Sequence, residues 1–88
     1  MTDLMEALFE YITKVTLQNY LAVDSDYRIS STRRETWSLE ILDHLDEEGR
    51  TLFDRYEKAA FQENSCLLEA MFLATVDLCR ELNGRLTA

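Results

Sequence analysis

Apolar residues recur at helical spacing along almost the whole of this chain, most densely in residues 66–79 (CLLEAMFLATVDLC), where only Glu69, Thr75 and Asp77 are neither apolar nor cysteine. No glycine or proline interrupts that stretch, so it reads as helix. At about 100° per residue, Leu68, Met71, Phe72, Thr75, Cys79 and Leu82 fall on one face, the usual width for a helix packed on a core. A second row, Leu67, Ala70, Ala74 and Leu78, lies beside it. The far side, Glu69, Leu73, Val76 and Arg80, adds two more aliphatic residues, so the helix has more apolar surface than one neighbour covers. Two readings fit: a central helix touched on several sides by its own chain, or one whose Leu73 and Val76 meet a second copy or another protein. Ala70 and Ala74 form a small-xxx-small pair, which lets a neighbouring backbone come close. The helix is too short and too charged at its ends for a bilayer span, which needs roughly 20 consecutive apolar residues.

The rest of the chain reads as amphipathic helix laid against this one. Thr2 can cap a first helix from about Asp3 to about Leu21, with Asp3 and Glu6 where the positive end of the dipole favours carboxylates. Leu4, Leu8, Tyr11, Ile12 and Val15 mark its apolar stripe, widened by Met5 and Phe9. Asp24, Ser25 and Asp26 supply turn and cap chemistry for the connection at residues 22–26. A second helix runs from about Asp26 through Leu45, with Tyr27, Arg34, Trp37, Ile41 and Leu45 on one face. The rival start is the capping box Thr32-Arg33-Arg34-Glu35. Asp46 caps a third helix that continues to Asn83, where Gly84 is expected to stop it. Residues 62–65 (QENS) either break that helix or let it run on. The expectation is one all-α domain over residues 1–88: three helices in antiparallel arrangement, the C-terminal one long.

Composition narrows the function classes. With 88 residues the chain buries only around 60% of its extended surface, so its stability is modest and dimerisation would help. It has no proline, two glycines and 47% hydrophobic residues, the composition of a folded helical domain. Nine Lys and Arg against seventeen Asp and Glu leave a net charge of −8, which speaks against binding nucleic acid through its phosphates. Cys66 and Cys79 stand roughly 20 Å apart along one helix and cannot bridge each other. With no basic, apolar leader pattern at the N-terminus, they point to a reducing cytoplasmic setting and are expected to be buried free thiols.

The dipeptide Asp26-Tyr27, the segment LDEEGRTLFDRYEKA, and the ending in which Phe72 is followed by Leu78 and Glu81-Leu82 together resemble a family of small uncharacterised helical proteins of Firmicutes and their mobile elements. The likeness covers about two thirds of the chain. Where members carry glycines in the last helix, this chain has Ala70 and Ala74, which changes how closely another helix can approach. The resemblance implies an all-helical fold and no particular activity.

The chemistry-bearing residues do not assemble into a reaction centre. His44 is the only histidine, and its Glu40-x-x-x-His44 spacing differs from the Glu-x-x-His of helical carboxylate metal sites, with no second copy of the motif. Neither cysteine has a histidine within a helical turn, and Arg80 beside Cys79 is the one basic neighbour. No glycine-rich phosphate loop or nucleophile elbow is present. No metal, cofactor or enzymatic activity is therefore expected. Trp37 is expected in the core, since a small chain needs its large side chains inside.

The acidic surplus is concentrated. Between residues 35 and 57, Glu35, Glu40, Asp43, Asp46, Glu47, Glu48, Asp54 and Glu57 stand against Arg50 and Arg55, a local balance of −6. The first functional expectation is a non-enzymatic protein-interaction module, a homodimer built on the last helix through Leu73, Val76, Ala70 and Ala74. The alternative is a phage or mobile-element inhibitor of the anti-CRISPR kind. Its acidic surface, Glu40, Asp43, Asp46, Glu47, Glu48, Asp54 and Glu57, would mimic nucleic acid and block a basic site on a defence protein.

Overall fold

The computed structural model describes residues 1–87 and is all-α, with no strand among the described residues. The first helix comprises α1 (Asp3–Tyr11), a π-helical turn (Ile12–Thr16) and α2 (Leu17–Val23). It is followed by α3 (Ser25–His44) and the long C-terminal α4 (Glu47–Thr87). The chain divides into two units, the first ending at Asp54 and the second starting at Arg55.

In the first unit the ends are set by side-chain caps. Thr2 Oγ1 accepts the Met5 N–H at 3.2 Å, Asp24 Oδ1 the Tyr27 N–H at 3.0 Å, and Asp46 Oδ1 the Gly49 N–H at 2.8 Å. Each satisfies an amide that the helix itself leaves without a partner. The connections are shorter than the sequence suggests. Asp24 alone, in extended backbone, ends α2 and starts α3, and Leu45 and Asp46 join α3 to α4. The capping box at Thr32 is not used, because α3 is already under way from Ser25 and the Thr32 carbonyl accepts the Thr36 hydroxyl at 2.9 Å. Gly49 suits its place in the first turn of α4. A Cβ there would stand 3.1 Å from both Asp46 Oδ1 and Leu45 Cδ2, crowding the cap.

The π turn explains which face of the first helix is covered. Met5, Phe9, Thr13, Leu17 and Leu21 are the half-buried residues at spacing four, joined by Thr16. In a regular α-helix, with 3.6 residues per turn, a row of every fourth residue drifts around the axis. The wider i→i+5 turn, seen in the Leu17 N–H bonding to Ile12 O, slows that drift. Leu4, Leu8, Tyr11, Ile12 and Val15, the stripe that periodicity alone selects, are exposed. In α3 the half-buried positions are Ser31, Ser38 and Leu42. Trp37, expected in the core, is 64% exposed, and Tyr27 and Ile41 beside it are exposed too. The face that periodicity picked carries its largest side chain outward, while small serines take the covered positions.

In the second unit α4 is continuous. Residues 62–65 stay helical, and the helix passes through Gly84, which has no positive φ and so makes no left-handed cap. Among the described residues Phe72 is the buried hydrophobic one, 8% exposed, flanked by half-buried Ser65, Leu68, Leu73 and Val76. The total accessible area is 7752 Å². No helix among the described residues is long and apolar enough to cross a membrane.

Candidate interaction surface

The covered and uncovered sides of α4 differ in phase from the sequence expectation. Of the face Leu68, Met71, Phe72, Thr75, Cys79 and Leu82, only Phe72 is buried and Leu68 half-buried; Met71, Thr75, Cys79 and Leu82 are exposed. The covered stripe instead turns toward Ser65, Leu73 and Val76. That places two of the expected contact residues, Leu73 and Val76, half-buried, and the other two, Ala70 and Ala74, in the open.

Ala70 and Ala74 lie within a row of large apolar side chains. Leu67 is 61% exposed, Met71 69%, Leu78 54% and Leu82 50%. Leu67, Met71, Ala74 and Leu78 follow one another at spacings of four, three and four, the a/d pattern of a helix that packs along another helix. An isolated exposed leucine is ordinary, whereas a contiguous apolar row marks a contact surface. Leu67 and Leu78 were visible in the sequence as a second row. Met71 was not, because its neighbour Phe72 drew it onto the core face. The three-four alternation is the signal that groups it with Leu67 and Leu78.

Both cysteines are exposed thiols, against the expectation of burial. The Gln62 side-chain amide lies 3.8 Å from Cys66 Sγ. Cys66 lies about 120° around the axis from Phe72, whereas Cys79 shares the direction of Phe72 and is exposed along with every position from Asp77 to Leu86.

The acidic residues divide between the units. Glu40, Asp43, Asp46, Glu47, Glu48 and Asp54 are exposed in the first, and Glu57 is exposed in the second. Around the turn from α3 to α4 the charge is partly answered locally. Arg50 Nε donates to Leu42 O at 3.1 Å, bringing a cation to the negative end of α3, and His44 Nδ1 lies 2.9 Å from Glu40 O. Asp46 is occupied as a cap. No group of three or more metal-ligating side chains converges among the described residues.

A perturbed carboxylate lies elsewhere, on α1. Glu10 accepts a hydrogen bond from Lys14 one turn on, and that bond together with the ammonium charge lowers its pKa from the ordinary value of 4.5. On α4, a shallow hollow of about 230 Å³ is lined by Tyr56, Ala59, Ala60 and Glu63. It offers a phenol and a carboxylate but no nucleophile paired with a base.

Compared with family models, with curated proteins and with solved structures, the chain finds no match.

Proposed function

We propose that this chain is a non-enzymatic helical interaction module that associates with itself through α4, in a reducing cytoplasmic setting where Cys66 and Cys79 remain thiols. The observation that carries the reading is the exposed row of Leu67, Met71, Leu78 and Leu82, with Ala70 and Ala74 between them. Covering one fully exposed leucine or methionine is worth about 1.5–3 kcal/mol, so four half-exposed ones supply a driving force that a neighbouring helix can collect. Leu73 and Val76 lie on the covered side and support the helix from behind. Light scattering over a concentration series tests the reading. Leu78→Asp is expected to yield a monomer that keeps its helical circular dichroism, because Leu78 is exposed within the chain. An oligomer unchanged by Leu78→Asp and by Leu67→Asp would remove this row from the interface.

A second reading rests on the exposure of Glu40, Asp43, Glu47 and Glu48 around one helix turn. There the module docks on a basic protein, as an inhibitor imitating nucleic acid does. Binding of that kind falls steeply with salt and is weakened by Asp43→Lys or Glu48→Lys. Salt-independent capture would count against it.

A further inference from the structure

We propose that the second copy lies antiparallel along α4, related by a two-fold axis that passes between Met71 and Ala74. This rests on the reading of the α4 row as a self-association face and specifies its geometry.

The sequence of layers along the row decides the direction. An axis midway between positions 71 and 74 sets Met71 against the partner's Ala74 and Leu67 against the partner's Leu78. Each bulky Met71 then fills the space that an alanine leaves, and four consecutive layers are apolar. In a parallel pair every layer meets its own copy. Met71 would stand on Met71 and crowd, and Ala74 on Ala74 would leave a gap, the alternation of overpacking and void that facing helices avoid.

Charge gives the same answer. Continuing the three-four spacing from Leu78 leads to Glu81 and Arg85, which form an ion pair along the helix at 2.7 Å. A parallel pair brings Glu81 onto Glu81 and Arg85 onto Arg85 in the seam, like charges face to face. The antiparallel pair sets Glu81 against the partner's Asn64, whose side-chain amide can donate to a carboxylate. It sets Arg85 against the partner's Ala60, with the partner's Glu63 one turn away. On one flank it also brings exposed Phe61 near the partner's Leu82, both large and both open in the single chain.

Cross-linking tests the direction. In a chain carrying Cys66→Ser and Cys79→Ser, the variants Leu67→Cys and Leu78→Cys are purified separately, mixed and oxidised. The expected dominant product is the mixed dimer linking position 67 to position 78. In the antiparallel pair, position 67 stands about 16 Å along the axis from its own copy, beyond the roughly 7 Å Cα separation that a disulfide spans. Efficient cross-linking of each variant to itself would establish the parallel pair and overturn the proposal while leaving self-association intact. Light scattering on the cysteine-free chain reads self-association separately: a monomer at every concentration would remove the α4 interface altogether. A dimer that gives neither cross-link places the contact elsewhere and overturns the proposal too.

Discussion

The side-chain amide of Gln18 donates to the carbonyl oxygen of Thr13 at 3.2 Å, taking the acceptor that the Leu17 N–H has left for Ile12 O. In a regular helix Leu17 would bond Thr13, so the π turn leaves one carbonyl behind and a side chain replaces the lost donor. The Thr13 hydroxyl adds to the local network by donating to Phe9 O at 2.9 Å and Glu10 O at 3.2 Å. Gln18→Leu removes that donor, and the expected cost is about 0.5–1.5 kcal/mol, the net worth of one hydrogen bond near solvent. Hydrogen exchange reads the effect locally. Faster exchange at Leu17 and its neighbours, with α4 unchanged, is the expected pattern, and a uniform acceleration along the chain would argue against a local role.

Phe72 and Trp37 make a contrasting pair. Phe72 is 8% exposed and Trp37 stands mostly in solvent, although both are large aromatic residues at helical spacing among aliphatics. Phe72→Ala is expected to cost at least about 3 kcal/mol in chemical denaturation, the range for removing a buried aromatic side chain. Trp37→Ala is expected to fall within about 0.5 kcal/mol of the parent, as surface substitutions do. Equal effects of the two would mean that Trp37 is covered in solution by a partner or a second copy.

The helices were legible from the sequence because caps and periodicity are local. Thr2, Asp24 and Asp46 each place an oxygen where the next turn needs an acceptor, and that depends on a few neighbouring residues. Facing was less legible. Leu4 and Leu8 obey the spacing of a buried stripe and yet are exposed, because the π turn between Ile12 and Thr16 rephases the helix around Met5, Phe9 and Leu17. No residue type announces such a turn. In α4 the apolar residues surround the axis, so a stripe through Met71 and Leu82 and one through Val76 are nearly equivalent on paper. Packing alone separates them. Gly84 is a stop by residue preference, but the left-handed cap that favours glycine needs a positive φ, and here the backbone does not take one.

The two cap readings of the sequence can be separated by single substitutions. Asp46→Ala removes the acceptor of the Gly49 N–H and a negative charge from the positive end of α4, and is expected to cost about 1 kcal/mol. Thr32→Ala, in the rival capping box, falls in the middle of α3, and the expected change is within about 0.5 kcal/mol. Urea denaturation of both variants checks the order. A larger loss at Thr32 than at Asp46 would mean that α3 starts at Thr32 in solution.

The Glu10–Lys14 pair predicts a pH dependence of definite sign. The bond and charge of Lys14 hold the Glu10 carboxyl below its ordinary pKa of 4.5. The pair's contribution to folding is therefore fully present above that value, including at neutral pH, and is lost as pH falls through the lowered folded-state pKa. Both side chains are more than half exposed, so the contribution is small and salt screens it. Carboxyl-carbon NMR should find Glu10 titrating below the ordinary value of 4.5. Lys14→Met should raise the Glu10 midpoint toward the ordinary value, and about 1 M salt should do so in the parent chain by screening. A Glu10 midpoint unmoved by Lys14→Met would place the origin of the shift outside this pair.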